Sequence, residues 1–292
     1  MQSGSAIAGE RCCELPTGQV AVLGVDFSSA PSRSKPITVA HARLLGDDRL
    51  QVSVLEPIAT LDAFESLLAR AGPWIGGFDF PFGLPRELVL AAGWPTEWPA
   101  LVRFFGAEPR AVLRERLRSF CAARPPGSKF AHRATDRPAG SSPSMKWVNP
   151  PVAWMFHAGA PRLLEAGVEL PGLVDGDRLR VALEAYPGML ARALCRASYK
   201  SDDPARQDQA RLDARCSIVA ALAEGAHPLR LRVGFDRGLR RQTELEPRGD
   251  WLDAVLCAVQ AGWALVQGPG YGLPDRIDPL EGWIVGAPIA TS

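Results

Sequence analysis

Val20-Ala-Val-Leu-Gly-Val-Asp26 is an unbroken apolar run of strand length that ends on a carboxylate. A run without polar alternation reads as a strand buried on both faces, so its acid stands at the tip of a core strand. Outward from it, Ile37 to Ala42 and Leu50 to Leu55 are shorter β-rich segments separated by Gly46-Asp47-Asp48. Gln51 and Ser53 alternate with Val52 and Val54, as in a half-exposed hairpin. Thr60 is a candidate N-cap for a helix with Leu61, Phe64, Leu67 and Leu68 on one face, stopping near Gly72-Pro73. Trp74-Ile-Gly-Gly-Phe78 then leads to a second strand-end acid, Asp79.

Strand, strand, strand, helix, strand is a specific order, because a helix between strands is the usual crossover to a parallel neighbour. It predicts an α/β fold in which Asp26 and Asp79 share one end of adjacent strands, where open sheets place their sites. Leu179 to Leu183 resumes the sheet and ends on a third acid, Glu184. The last strong element runs from Asp250 to Val266, with Leu252, Val255, Leu256, Val259 and Trp263 on a buried face. Asp250 and Asp253 share a side of its first turn. An acid at a strand tip also starts turns, and acids in a first turn also cap a helix and complement its dipole, so residue types alone leave both readings open.

Residues 86–177 break this pattern and read as a mainly helical insertion within one domain spanning residues 18–288, with residues 1–17 a disordered leader. Within the insertion, Pro109 to Cys121 is a helical stretch. Arg124 to Lys129 and Pro138 to Ser144 read as a mobile loop. Arg103 to Lys146 holds ten basic residues against Glu108, Glu115 and Asp136, with Trp147 and Trp154 nearby. Basic groups beside aromatics suit a nucleic-acid strand, with Arg114, Arg116 and Arg118 as phosphate contacts. A solvated arginine face over core tryptophans has the same composition. Helical segments at Met189 to Ala197 and Asp203 to Glu224 flank Tyr199-Lys200, whose ammonium suits a phosphate.

The 292 residues carry 33 basic and 32 acidic side chains, so no global field draws the chain to nucleic acid or membrane, and such a partner needs a local patch. Six cysteines without a CxxC pair, two of them the neighbours Cys12 and Cys13, make a poor disulfide framework and favour a reducing cytoplasm. No uncharged run reaches membrane length and the first twenty residues lack a signal-peptide core, so no membrane role is expected. The four histidines are too scattered for a zinc site.

Gly24-Val-Asp26, Phe78-Asp-Phe-Pro-Phe-Gly-Leu-Pro85, Glu184-Ala-Tyr-Pro187, Tyr199-Lys200, Asp250-Trp-Leu-Asp-Ala254 and Glu281-Gly-Trp-Ile284 together resemble the DUF429 family. The blocks span nearly the whole chain, and their order and spacing carry the likeness. The resemblance implies a ribonuclease H-like mixed sheet and a nuclease activity. The closing Asp-x-x-Asp-Ala also resembles the last helix of RuvC-type Holliday junction resolvases, in which two acids bind metal and the protein is a homodimer. By this likeness Asp26, Asp79 and Asp253, with Asp250 or Glu184, form a metal-binding cluster.

Elementary electrostatics agrees with that implication. Crowded carboxylates repel unless hard cations neutralise them, and a set without histidine or thiolate points to Mg²⁺ or Mn²⁺. The leading expectation is a two-metal phosphodiester hydrolase, a nuclease or an enzyme of smaller phosphodiesters. Asp26 bridges the ions, Asp79 and Asp253 complete their shells, Glu184 or Asp250 orients water, and Lys200 with the arginines holds phosphates. Two alternatives are a non-catalytic nucleic-acid or nucleotide binding module and an actin-like ATPase. Against the last, Asp26-Phe-Ser-Ser lacks the glycine that a phosphate-cradling hairpin needs.

Overall fold

A computed structural model describes residues 20–289; the leader expected over residues 1–17 lies outside them. β1 (Ala21–Asp26), β2 (Ile37–Leu44) and β3 (Arg49–Ile58) form an antiparallel meander, and α1 (Leu61–Leu68) carries the chain to β4 (Trp74–Phe78), parallel to β1. Thr60 caps α1 as its sequence predicts, its Oγ1 accepting from the Ala63 N–H at 3.1 Å. Five helices follow: α2 (Arg86–Ala91), α3 (Trp98–Ala107), α4 (Arg110–Ala122), α5 (Asp136–Ala139) and α6 (Val152–Ala166). The two-residue β5 (Val168–Glu169) precedes β6 (Asp177–Glu184), which pairs in parallel with β4. The chain closes through α7 (Pro187–Leu194), α8 (Gln209–Glu224), β7 (Arg232–Gly234), α9 (Arg237–Leu245) and α10 (Asp250–Val266).

These elements make a mixed α/β architecture around a seven-stranded mixed sheet of order β5-β6-β4-β1-β2-β3-β7. Two local expectations need correcting. Pro138 to Ser144 is only partly a loose loop: Pro138 and Ala139 close α5, which starts on Asp136, and Ser144 is fully buried, while residues 140–143 are irregular. Asp136 anchors the segment by accepting from the Arg133 backbone N–H at 2.9 Å and from its guanidinium. The helix expected from Asp203 begins only at Gln209, because Pro204 opens a separate short turn and Asp208 supplies the cap, accepting from the Arg211 N–H at 3.0 Å. Among the described residues no helix is long and apolar enough to cross a membrane.

Strand alternation divides the core into two layers. Leu23 and Val25 of β1 and Phe78 of β4 pack with α1, α3 and α6 on one face of the sheet. Val22 and Ile75 pack with α8 and α10 on the other. The sequences Val22-x-Gly24-x-Asp26 and Ile75-x-Gly77-x-Asp79 run side by side, with Val22 opposite Ile75 and Gly24 opposite Gly77. Period two therefore puts both glycines and both acids on the α10 side.

The glycines set how closely α10 can lie. A Cβ at Gly24 would stand 2.0 Å from the Ala254 carbonyl oxygen and 2.2 Å from the Ala258 nitrogen, and one at Gly77 would stand 2.4 Å from the Cys257 oxygen. Helix backbone thus rests directly on strand backbone. Thr38, the residue opposite Asp26 in β2, fixes the start of the helix by donating from Oγ1 to the Asp250 carbonyl at 2.9 Å.

Candidate active site

The carboxyl ends of β1 and β4 meet the amino end of α10, and the acids converge there. Asp26 and Asp79 are half-buried, Asp253 is fully buried and Asp250 nearly so. Asp253 is held from two sides: Tyr199 Oη donates to its Oδ1 at 2.6 Å and Lys200 Nζ pairs with its Oδ2. The Tyr199–Lys200 strap is itself fixed by Arg215, which donates to the Tyr199 carbonyl at 2.8 Å. Gly249 takes a left-handed conformation (φ 76°) beneath it, where a Cβ would meet that of Lys200 at 2.9 Å.

Asp26 and Asp79 make no side-chain hydrogen bond to any described residue, and Asp250 Oδ2 is a buried oxygen without a hydrogen-bond donor, 3.5 Å from Arg248 Nε. The electrostatics follow from that crowding. Burial, then Asp253, Asp79 and Asp250, push Asp26 well above the ordinary carboxylate range despite Lys200. Burial, Asp253 and Glu184 raise Asp79 to about 7, and burial with Glu246 and Asp253 raises Asp250 to about 6 against Arg248. Burial works against the Lys200 charge, but Asp253, Tyr199 and Asp26 more than offset it and hold the ammonium firmly protonated. Burial and the same acids push the Cys257 thiol up, so it is no thiolate nucleophile.

A carboxyl that is harder to ionise folded than unfolded contributes stability below its unfolded pKa, and loses it as pH rises through the folded value. In EDTA the thermal midpoint is therefore expected to fall between about pH 4 and pH 7, as Asp250 and then Asp79 ionise. Excess Mg²⁺ should offset much of that fall at pH 7.5. A midpoint that is flat or rising across this window in EDTA, or a fall that Asp79→Asn leaves undiminished, would contradict the crowding of these acids.

Glu184 does not join these acids. In the β4–β6 register it lies opposite Phe78, so it faces the layer away from α10. Its Oε2 accepts from the Phe82 N–H at 2.8 Å and from Arg133 at 2.7 Å, and its Oε1 from Arg133 at 2.6 Å. Arg133 is buried, also grips Asp136, and donates to the Glu281 carbonyl at 2.9 Å. This network fixes the loop that leaves Asp79.

The insertion arginines are also used within the fold. Arg114 lies over the Trp154 ring at 5.9 Å, Arg116 lies over Phe104 at 5.5 Å and 4.0 Å from Glu108, and Arg118 pairs with Glu115 at 3.1 Å. None of the three pairs with the acid cluster among the described residues. Trp154 is buried and offers no free stacking face, and the half-buried Trp147 meets Phe130 edge-on at 5.6 Å. Sequence reasoning passes over Thr38, Arg133 and Arg215. Only the Arg133-x-x-Asp136 spacing gives a local sign of pairing.

Among the described residues no three His, Cys, Asp or Glu side chains stand close enough to enclose an ion as they are placed, with Lys200 occupying Asp253. The donor chemistry nevertheless fits a hard divalent cation: Asp26, Asp79 and Asp250 present oxygens that no protein donor satisfies. A family model described as Protein of unknown function (DUF429) matches residues 24–278. No curated protein and no solved structure matches the chain.

Proposed function

Because the chain belongs to the DUF429 family, whose description assigns no activity, its function must be argued from the site, and we propose a divalent-metal-dependent phosphodiester hydrolase, a nuclease on a ribonuclease H-like sheet. The observation that carries this reading is the convergence of Asp26, Asp79 and Asp253 with Lys200 as the cation against them. Asp26, Asp79, Asp250 and Asp253 would hold Mg²⁺ or Mn²⁺. When bound, such ions supply Lewis-acid activation of water and of the phosphodiester.

The chain's own residues do the rest. Tyr199 orients Asp253 and keeps one of its oxygens occupied, so that the other presents to the site. Lys200 Nζ, which pairs with Asp253 Oδ2, is the cation that would hold a non-bridging phosphate oxygen of the strand once a metal ion neutralised that acid. Glu184 acts through Arg133 and Phe82, holding the loop that aims Asp79. The likeness to RuvC-type resolvases extends the proposal to a homodimer, and the free thiols Cys121, Cys195, Cys216 and Cys257 fit a reducing cytoplasm.

Purified protein is expected to cleave single-stranded DNA or RNA, or a chromogenic phosphodiester, with Mg²⁺ or Mn²⁺ and not in EDTA. Asp253→Asn should remove cleavage. Cleavage that persists in EDTA, or that tolerates Asp253→Asn, would overturn the assignment. Binding without turnover in wild type with either ion would instead support the binding-module reading, which the spacing of the acids favours, since no three of them enclose an ion as placed among the described residues.

A further inference from the structure

A second feature lies at the same end of the sheet, on the face away from α10. A cavity of about 540 Å³ opens between α3, α6 and the turn after β1, within the roughly 300–1,000 Å³ usual for ligand sites. Its wall carries Arg103, Arg110 and Arg162 with His157, and Glu165 is the acid that lines it. Arg162 is neutralised by Glu65 at 2.9 Å. Arg103 and Arg110 have no carboxylate partner among the described residues.

Arg110 is the more telling of the two. It is half-buried, lies over the Trp154 ring at 5.6 Å, and has one weak hydrogen bond, to the Ser29 carbonyl at 3.4 Å. Burial pushes its guanidinium down from its ordinary value, the expected condition of a desolvated cation lacking a counter-ion. Its contact with the Trp154 ring engages the cation without using its N–H donors, and all but the one bonded to Ser29 are left for an oxyanion. Burial lowers His157 too, so it stays neutral near pH 7 and adds a dipole to the wall.

The cavity also has a fixed relation to the acids. Ser29, on its rim, is three residues beyond Asp26, a span of at most about 10 Å of extended chain. That is within reach of a neighbouring nucleotide on a strand whose scissile phosphate sits at the acids. The geometry points to this cavity as a phosphate subsite for a nucleotide flanking the scissile bond of a single-stranded nucleic acid, with Arg110 and Arg103 as the phosphate ligands. The inference rests on the nuclease reading for the identity of its ligand, but binding and cleavage are separable.

The test reads binding alone. A fluorescent single-stranded oligonucleotide is titrated in EDTA against the Asp26→Asn protein, with Arg103→Gln and Arg110→Gln added together, with Arg103→Gln added alone, and with Arg116→Gln and Arg118→Gln as a control pair. The double substitution is expected to weaken binding on the order of tenfold and to flatten the salt slope by about 0.7 for each phosphate no longer neutralised. Exposed Arg103 alone should show part of the loss without disturbing the fold, and the control pair should show none. An equal loss in the control pair, or no loss in the cavity variants, overturns the subsite. So does saturable binding of inorganic phosphate that needs Arg110 while the oligonucleotide's affinity does not, because the ligand would then be a free anion. Failure of wild-type cleavage would count against the nuclease reading and leave these binding outcomes standing.

Discussion

Asp26→Asn is expected to remove divalent-dependent hydrolysis by at least 10²- to 10³-fold, about the loss seen when one charge-stabilising group is deleted from an active site. It should also raise the thermal midpoint of the metal-free protein at pH 8. Both effects have one cause. Asp26 is pressed upon by Asp253, Asp79 and Asp250, so its charge is a liability in the empty fold and a ligand when a cation is present. Each kcal/mol of repulsion relieved should appear as about 2–4 °C for a domain of this size. The Mg²⁺-induced rise in midpoint should shrink in the same variant, because an amide is a poorer ligand for a hard cation. Hydrolysis at the wild-type level would remove Asp26 from the machinery. A lower midpoint in EDTA would show that its carboxylate is structural.

Gly24→Ala should produce the largest loss of stability available from a single methyl group. The added carbon would fall inside the Ala254 oxygen and the Ala258 nitrogen, both main-chain atoms, and no rotamer change can move them aside. Strand or helix has to shift, at the upper end of the about 1–3 kcal/mol typical of overpacking or beyond it. The expected fall in midpoint is then on the order of 10 °C. Gly270→Ala is the matching control, since nothing lies within 4 Å of a Cβ there and its φ is not in the left-handed region. Displaced α10 carries Asp253 away from Asp26, so the Gly24 variant should also lose its response to Mg²⁺. A Gly24→Ala protein as stable as Gly270→Ala would mean that α10 does not rest on β1.

The meander, the α1 crossover and the pairing of β4 with β1 are legible in the sequence because each follows from local patterning: an apolar run, an alternating hairpin, a threonine cap. The bounds of α10 are legible for the same reason, since a helix buried along its length writes its period plainly. Asp26 and Asp79 can be paired from their strand-end positions, whereas Asp253 joins them in the sequence only through the resemblance, because an acid in a first helical turn is equally a cap. Glu184 looks equivalent and is not, because its face depends on the register of β6 against β4, which no local pattern encodes. Arg114, Arg116 and Arg118 look free because composition does not reveal that Trp154, Phe104 and two glutamates engage them. Proline and serine make residues 138–144 look loose, whereas the buried Asp136 accepts from the Ser141 N–H through its carbonyl and the distant Arg192 donates to the Ala139 carbonyl, contacts that tie down its first half.

The contact between Gly24 and α10 also sets an order of events during synthesis. β1 and β4 precede most of the described elements and can pair early, but the helix that covers their glycine faces leaves the ribosome after every strand of the sheet. Until then Val22 and Ile75 have at most α8 over them, and Asp26 and Asp79 have no Asp253 beside them. A nascent chain, or one truncated before residue 250, therefore carries two of the acids without the third. Under the proposed metal-dependent reading, such a chain lacks one of the acids that would hold the cation, so ribosome-bound or truncated forms are inert until α10 has emerged and docked.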